Sequence, residues 1–155
     1  MHTRDERRCY FGTAPTLATI NQTYGCKASQ EWLVYQLADL SEFSGVKGKI
    51  TGNQIKQLSE IIADDYPYLK ISEIMLFFRQ LKDGKFGMSF YGSVDPMTIM
   101  NALHKFIRQR GEAHYNHERN NDKVYDDYFR IMAKQKSQQD YMNEMMQTTF
   151  TTDKD

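Results

Sequence analysis

The chain has 155 residues, with 20 Lys plus Arg against 20 Asp plus Glu and a mean hydropathy of −0.69. That length suits one modest domain with a tail. The zero formal net charge excludes a global electrostatic footprint for nucleic acid or an anionic membrane, so any nucleic-acid contact must come from a local patch.

The N-terminal MHTRDERRCY is polar and lacks the apolar core of a secretory signal. The longest apolar run, Ile74 to Phe78, is far too short to span a bilayer. The expectation is a cytoplasmic protein that makes no membrane contact and keeps Cys9 and Cys26 reduced. Two cysteines do not make a disulfide framework, and no third thiol completes a metal site.

Residues 1–27 read as an irregular arm. Thr13-Ala14-Pro15 starts a short helix within it, with Thr13 or Ala14 near the cap and Pro15 in the first turn, and Gly25 ends it. Ser29 is the expected cap of the next helix, whose Trp32, Leu33, Leu37 and Leu40 share one face. Gly45 and Gly48 break that helix. Thr51 opens a third, with Gln54 three residues on in capping-box spacing and Ile55, Leu58, Ile61 and Ile62 as its stripe. Pro67 closes it. A fourth helix, from Lys70 or Ile71 to Lys82, is apolar around so much of its circumference that it must be packed by several neighbours.

A glycine-aromatic connector follows, carrying Gly84, Phe86, Gly87, Phe90, Tyr91 and Gly92. It reads as a short hairpin or an irregular loop, with Gly84 as the C-cap of the helix before it. Ser93 or Asp95 caps the fifth helix, Pro96 takes its first position, and Met97, Met100, Leu103, Phe106 and Ile107 give its core face. Residues 112–121 are polar. A helical stripe resumes at Val124, Tyr128, Ile131 and Met132, is extended loosely by Tyr141, Met142, Met145 and Met146, and either joins helix five continuously or stands apart. The fold expected is mainly α: a compact bundle of about five helices, with a short β-hairpin or Gly/aromatic loop near residues 84–92 and an appended C-terminal helix. Its parts are an arm at 1–27, a helical core domain at 28–111, and a polar linker with an amphipathic tail helix and a frayed end at 112–155.

No arrangement carries evident catalysis. No Walker A loop or triad spacing is present. Asp64-Asp65 and Asp126-Asp127 are adjacent pairs that diverge by about 100° on a helix. His114 and His117 share a helical face but lack the further ligands that zinc needs. The expectation is a non-enzyme with no cofactor and no metal.

Two binding surfaces remain. Phe86, Phe90 and Tyr91 beside Lys82 and Lys85 form a stacking platform for single-stranded nucleic acid, or else tuck beneath the loop and cap the core. Lys105, Arg108 and Arg110 cluster at the end of helix five, and residues 100–136 hold eight Lys plus Arg against five Asp plus Glu. That bias permits DNA contact, or complements the helix C-terminal dipole. The candidate nucleic-acid residues are therefore Lys82, Lys85, Phe86, Tyr91, Lys105, Arg108 and Arg110. The candidate partner-binding residues are Tyr128, Ile131, Met132, Met142 and Met145, because methionine adapts to partner grooves.

YLKISEIMLFFRQLKDGKFG…FYGSVDPMTIMNALHKFIRQR, with CYFGTAP and the stretch from Trp32 to Phe43, is similar to a family of small uncharacterised helical proteins from gut bacteria and their phages or mobile elements. That family implies no activity. QIKQLSEIIADDYPYL followed by IMNALHKFI resembles the N-terminal domain of phage replicative-helicase loaders. Those proteins pair a compact helical domain with a flexible C-terminal segment that engages the helicase; they have no obvious counterpart of the connector. The resemblance implies a DNA-replication accessory protein whose partner is a replicative helicase. The alternatives are a nucleic-acid-binding regulator and a structural module that homo-oligomerises.

Overall fold

The computed structural model describes the backbone of residues 5–87 and 94–151, and the side chains of 5–87 and 94–146. Among the described residues there are six helices: α1 (Glu6–Phe11), α2 (Leu17–Tyr24), α3 (Ala28–Phe43), α4 (Gly52–Asp65), α5 (Ile71–Lys82) and α6 (Pro96–Thr151). The protein is mainly α, as its periodicities predict. The chain divides into two compact units, Met1–Gly111 and Glu112–Asp155.

Of the short β-hairpin or Gly/aromatic loop expected near residues 84–92, no hairpin is found among the described residues. Residues 83–87 run through consecutive turns instead. The physical reason is a pair of left-handed glycines, Gly84 at φ 70° and Gly87 at φ 67°, which curl the backbone where a strand would extend it. The rest of the expected hairpin, through Gly92, lies outside the described residues.

The first unit begins where the sequence promised least. Within the expected irregular arm, α1 is a further helix. The Asp5 carboxylate caps it by accepting from the Arg8 amide at 3.1 Å. Six residues are too few for a helix to stand alone, and α1 is held because Cys9 and Tyr10 are buried and it packs on α5. The α2 cap is Thr16, whose hydroxyl accepts from the Thr19 amide at 3.1 Å, not Thr13 or Ala14. Pro15 stays outside the helix because its carbonyl accepts from the Ile71 amide at 2.9 Å. The α3 cap also differs from expectation. Ser29 lies inside the helix, and its amide donates to the Asn21 side chain of α2 at 2.9 Å. A tertiary partner thus replaces the local cap.

Helix α4 forms as its sequence predicts, with a reciprocal Thr51–Gln54 capping box. Leu58 and Ile62 face inward, while Ile61 is 44% exposed. Helix α3 packs against α2, α4 and α5. Helix α5 is the centre of the unit: Ile74, Leu76, Phe77, Phe78 and Leu81 are all buried. Asp95 caps α6, its carboxylate accepting from the Met97 and Thr98 amides at 3.3 and 3.1 Å. The core face of α6 is set by Ile99, Ala102, Leu103 and Phe106. Met97, expected to be inside, is exposed.

Residues 112–121, read from sequence as a linker, continue α6. They contain no proline to stop it, and Gly111 costs only about 1 kcal/mol in a helix interior.

Candidate interaction surfaces

An antiparallel clasp closes the first unit. The Leu17 amide donates to the Leu69 carbonyl and the Ala18 amide to the Pro67 carbonyl, both at 2.9 Å, beside a bridge between Thr16 and Lys70. The Lys70 ammonium donates to the Tyr10 and Gly12 carbonyls at 2.8 and 2.9 Å. The Ser72 hydroxyl donates to the Cys9 carbonyl at 2.8 Å. Lys70 lies just before α5 and ties the N-terminal segment to it.

Beneath the clasp lies Glu73, fully buried. One carboxylate oxygen accepts from the Lys70 amide at 2.9 Å, and the other accepts from Arg110 Nε of α6 at 2.7 Å. The Arg110 guanidinium also sits 5.3 Å from the centre of the Tyr68 ring. Burial pushes the Tyr10 hydroxyl up to about 12, with smaller contributions from the Glu6 and Glu73 carboxylates. The Cys9 thiol is raised, again first by burial and then by Asp5 and Glu6. A raised thiol pKa is the opposite of what a nucleophilic cysteine requires. Cys9 and Cys26 are both free thiols.

The cations expected at a nucleic-acid surface are mostly engaged within the unit. Lys82 pairs with Asp39 and lies 5.2 Å from the Phe43 ring centre. Lys85 bonds Glu6 at 2.7 Å. Lys105 donates to the Phe86 carbonyl at 3.2 Å. Arg110 serves the buried Glu73. Arg108 is exposed and makes no ion pair among the described residues. Lys82 and Lys85 are on α5 and the turn after it, whereas Lys105, Arg108 and Arg110 are on α6, and the structure ties Lys105 to the connector through Phe86.

The Phe86 ring is in the core, 6% exposed and 5.9 Å from Phe77. It therefore presents no open face on which a base could stack. Phe77 also stands 5.6 Å from Phe106, and Phe106 stands 6.0 Å from Tyr10. Phe86 is thus one member of an aromatic cluster that joins α1, α5 and α6. Tyr91 and Phe90 lie outside the described residues.

Sequence reasoning passed over Glu73. It is the one charged residue in the apolar run from Ile71 to Phe78. A helix apolar around most of its circumference has little solvent face on which to put it, and that was the available signal. Its partner, 37 positions away, left no local trace.

In the second unit, Tyr128, Ile131, Met132, Met142 and Met145 are each between 47% and 57% exposed. No described residue from 118 to 146 is buried or half-buried. Val124, Tyr125 and Met146 are exposed with them. At 100° per residue these side chains form one broad stripe centred on Tyr128, with Met145 at its edge. His117 and Asn121 approach within 3.4 Å on the same helix. Among the described residues no group of three or more His, Cys, Asp or Glu side chains is placed to hold a metal ion. No helix among them is long and apolar enough to cross a membrane.

A family model described as a family of unknown function, DUF6633, matches residues 49–142. No curated protein matches the chain, and no solved structure does.

Proposed function

We propose that this chain, which belongs to the DUF6633 family of unknown function, is a non-enzymatic accessory protein that docks another protein chain through its C-terminal helix. The observation that carries the proposal is the apolar stripe of the second unit, exposed from Val124 to Met132 and again from Met142 to Met146 on either side of Gln135 and Gln138. Apolar side chains in such a row are a recognised helix-in-groove pattern, and exposed apolar patches rimmed by polar residues mark interaction sites. The family match runs through Met142, so most of the tail belongs to the span that defines the family.

The more specific form of the proposal is a DNA-replication accessory protein of a phage or mobile element, with a replicative helicase as partner. Its support is the resemblance of QIKQLSEIIADDYPYL and IMNALHKFI to helicase-loader N-terminal domains. DNA contact has weaker support, since Lys82, Lys85 and Arg110 are paired with carboxylates.

The test mixes the full chain with the host's replicative helicase and follows co-migration and helicase loading. Retention with the helicase, lost on Ile131→Asp, is expected. No co-migration and no effect on loading would overturn the helicase reading.

A further inference from the structure

We propose that the tail stripe is covered, in the free protein, by a second copy of the same helix running antiparallel. This inference rests on the reading of the tail as a docking element, and it names the occupant.

Three observations carry it. First, Val124, Tyr128, Ile131, Gln135, Gln138, Met142 and Met145 are spaced alternately by four and three residues. That is the seam of a left-handed coiled coil sustained over three heptads. Every one of these residues is exposed, and a helix of this kind draws most of its stability from packing an apolar face.

Second, the stripe is complementary to itself when reversed. About the midpoint between Lys136 and Ser137, Tyr128 falls opposite Met145, Ile131 opposite Met142, and Gln135 opposite Gln138. A second copy laid antiparallel therefore meets apolar with apolar along the seam. At the centre it meets amide with amide, and each glutamine both donates and accepts. A tyrosine ring then faces a methionine at both ends, a favourable sulfur–aromatic contact. An unrelated partner would have to supply this order independently.

Third, residues 122–146 carry five Asp plus Glu and four Lys plus Arg. A pair of such helices meets without a large like-charge penalty. Any other protein that uses the stripe must compete with the second copy for it.

Sedimentation equilibrium of the full chain over a range of concentrations should show a species of twice the 18.2 kDa chain mass. Ile131→Asp with Met142→Asp should leave only monomer, with Trp32 fluorescence of the first unit unchanged. Orientation is read by oxidative cross-linking in a Cys26→Ser background. Tyr128→Cys mixed with Met145→Cys should cross-link. Tyr128→Cys alone should not, because its two copies would lie about 26 Å apart along an antiparallel pair. Cross-linking of Tyr128→Cys alone would overturn the antiparallel arrangement. A monomer at every concentration, or a dimer that survives the double aspartate variant, would overturn the pairing itself. A monomeric chain that still co-migrates with the helicase would leave the docking function standing. A dimer that ignores the helicase would do the reverse.

Discussion

Arg108 and Arg110 stand two residues apart on α6 and look alike in the sequence, yet their removal should have very different consequences. Arg110→Met keeps most of the apolar stem and removes the guanidinium. Glu73, fully buried, then loses the cation at 2.7 Å. The Lys70 amide at 2.9 Å continues to donate to that carboxylate. Breaking a buried pair by removing one partner costs about 3–5 kcal/mol. The Arg110 side chain is 21% exposed, so water can partly replace it, and the low end of about 3 kcal/mol applies. For a unit of this size that lowers the melting temperature by about 12 °C. Arg108→Met, on an exposed side chain, should stay within about 0.5 kcal/mol of the parent. The assay is thermal and urea unfolding followed by Trp32 fluorescence. This sole tryptophan sits in α3, so the tail helix does not contribute to the signal. Adding Glu73→Gln to Arg110→Met should recover part of the loss and give a coupling energy above about 1 kcal/mol. If Arg110→Met came within 1 kcal/mol of Arg108→Met, the buried pair would not be stabilising this unit, and Arg110 would return to the list of cations free for a ligand.

Two further outcomes follow from the first unit. Phe86→Ala should cost about 3 kcal/mol in the same unfolding assay, because it empties a place in the aromatic cluster; unchanged stability with weakened binding to single-stranded DNA would refute its core role. The Tyr10 hydroxyl, pushed up to about 12 by burial, is favoured in its neutral form by the folded state. Its contribution is fully present below the ordinary tyrosine value near pH 10 and is lost as pH rises from there through about 12, a total of about 2–3 kcal/mol. Tyr10→Phe should therefore lose less stability than the parent between pH 9 and 11.5, and identical pH slopes for the two would refute the assignment.

What the sequence by itself determined was local. Thr51 and Gln54 specify the start of α4 within four residues, and the structure builds that capping box without outside help. Asp95 and Pro96 start α6 for the same reason. The apolar residues around most of α5 announced the centre of the unit, and Ile74, Leu76, Phe77, Phe78 and Leu81 are buried there while Arg79 and Lys82 keep the remaining face half-exposed. The tail stripe was legible too, since helical spacing alone puts Tyr128, Ile131 and Met142 on one face.

Only the tertiary structure decided the rest, because the deciding contacts join residues far apart in the chain. Helix α1 exists by virtue of a buried surface on α5 that six residues cannot advertise. Ser29 lost its role as a cap to Asn21, a side chain on the preceding helix. Phe86 could have faced solvent or core, and Phe77, brought near by the Gly84–Gly87 curl, settled it. The basic cluster shows the limit most plainly. Charge counting treats Lys82, Lys85, Lys105, Arg108 and Arg110 as equals. Folding brings Asp39, Glu6 and Glu73 to three of them and the Phe86 carbonyl to a fourth. A charge is available to a ligand only when the fold has not already satisfied it, and long-range pairing of that kind leaves no period in the sequence.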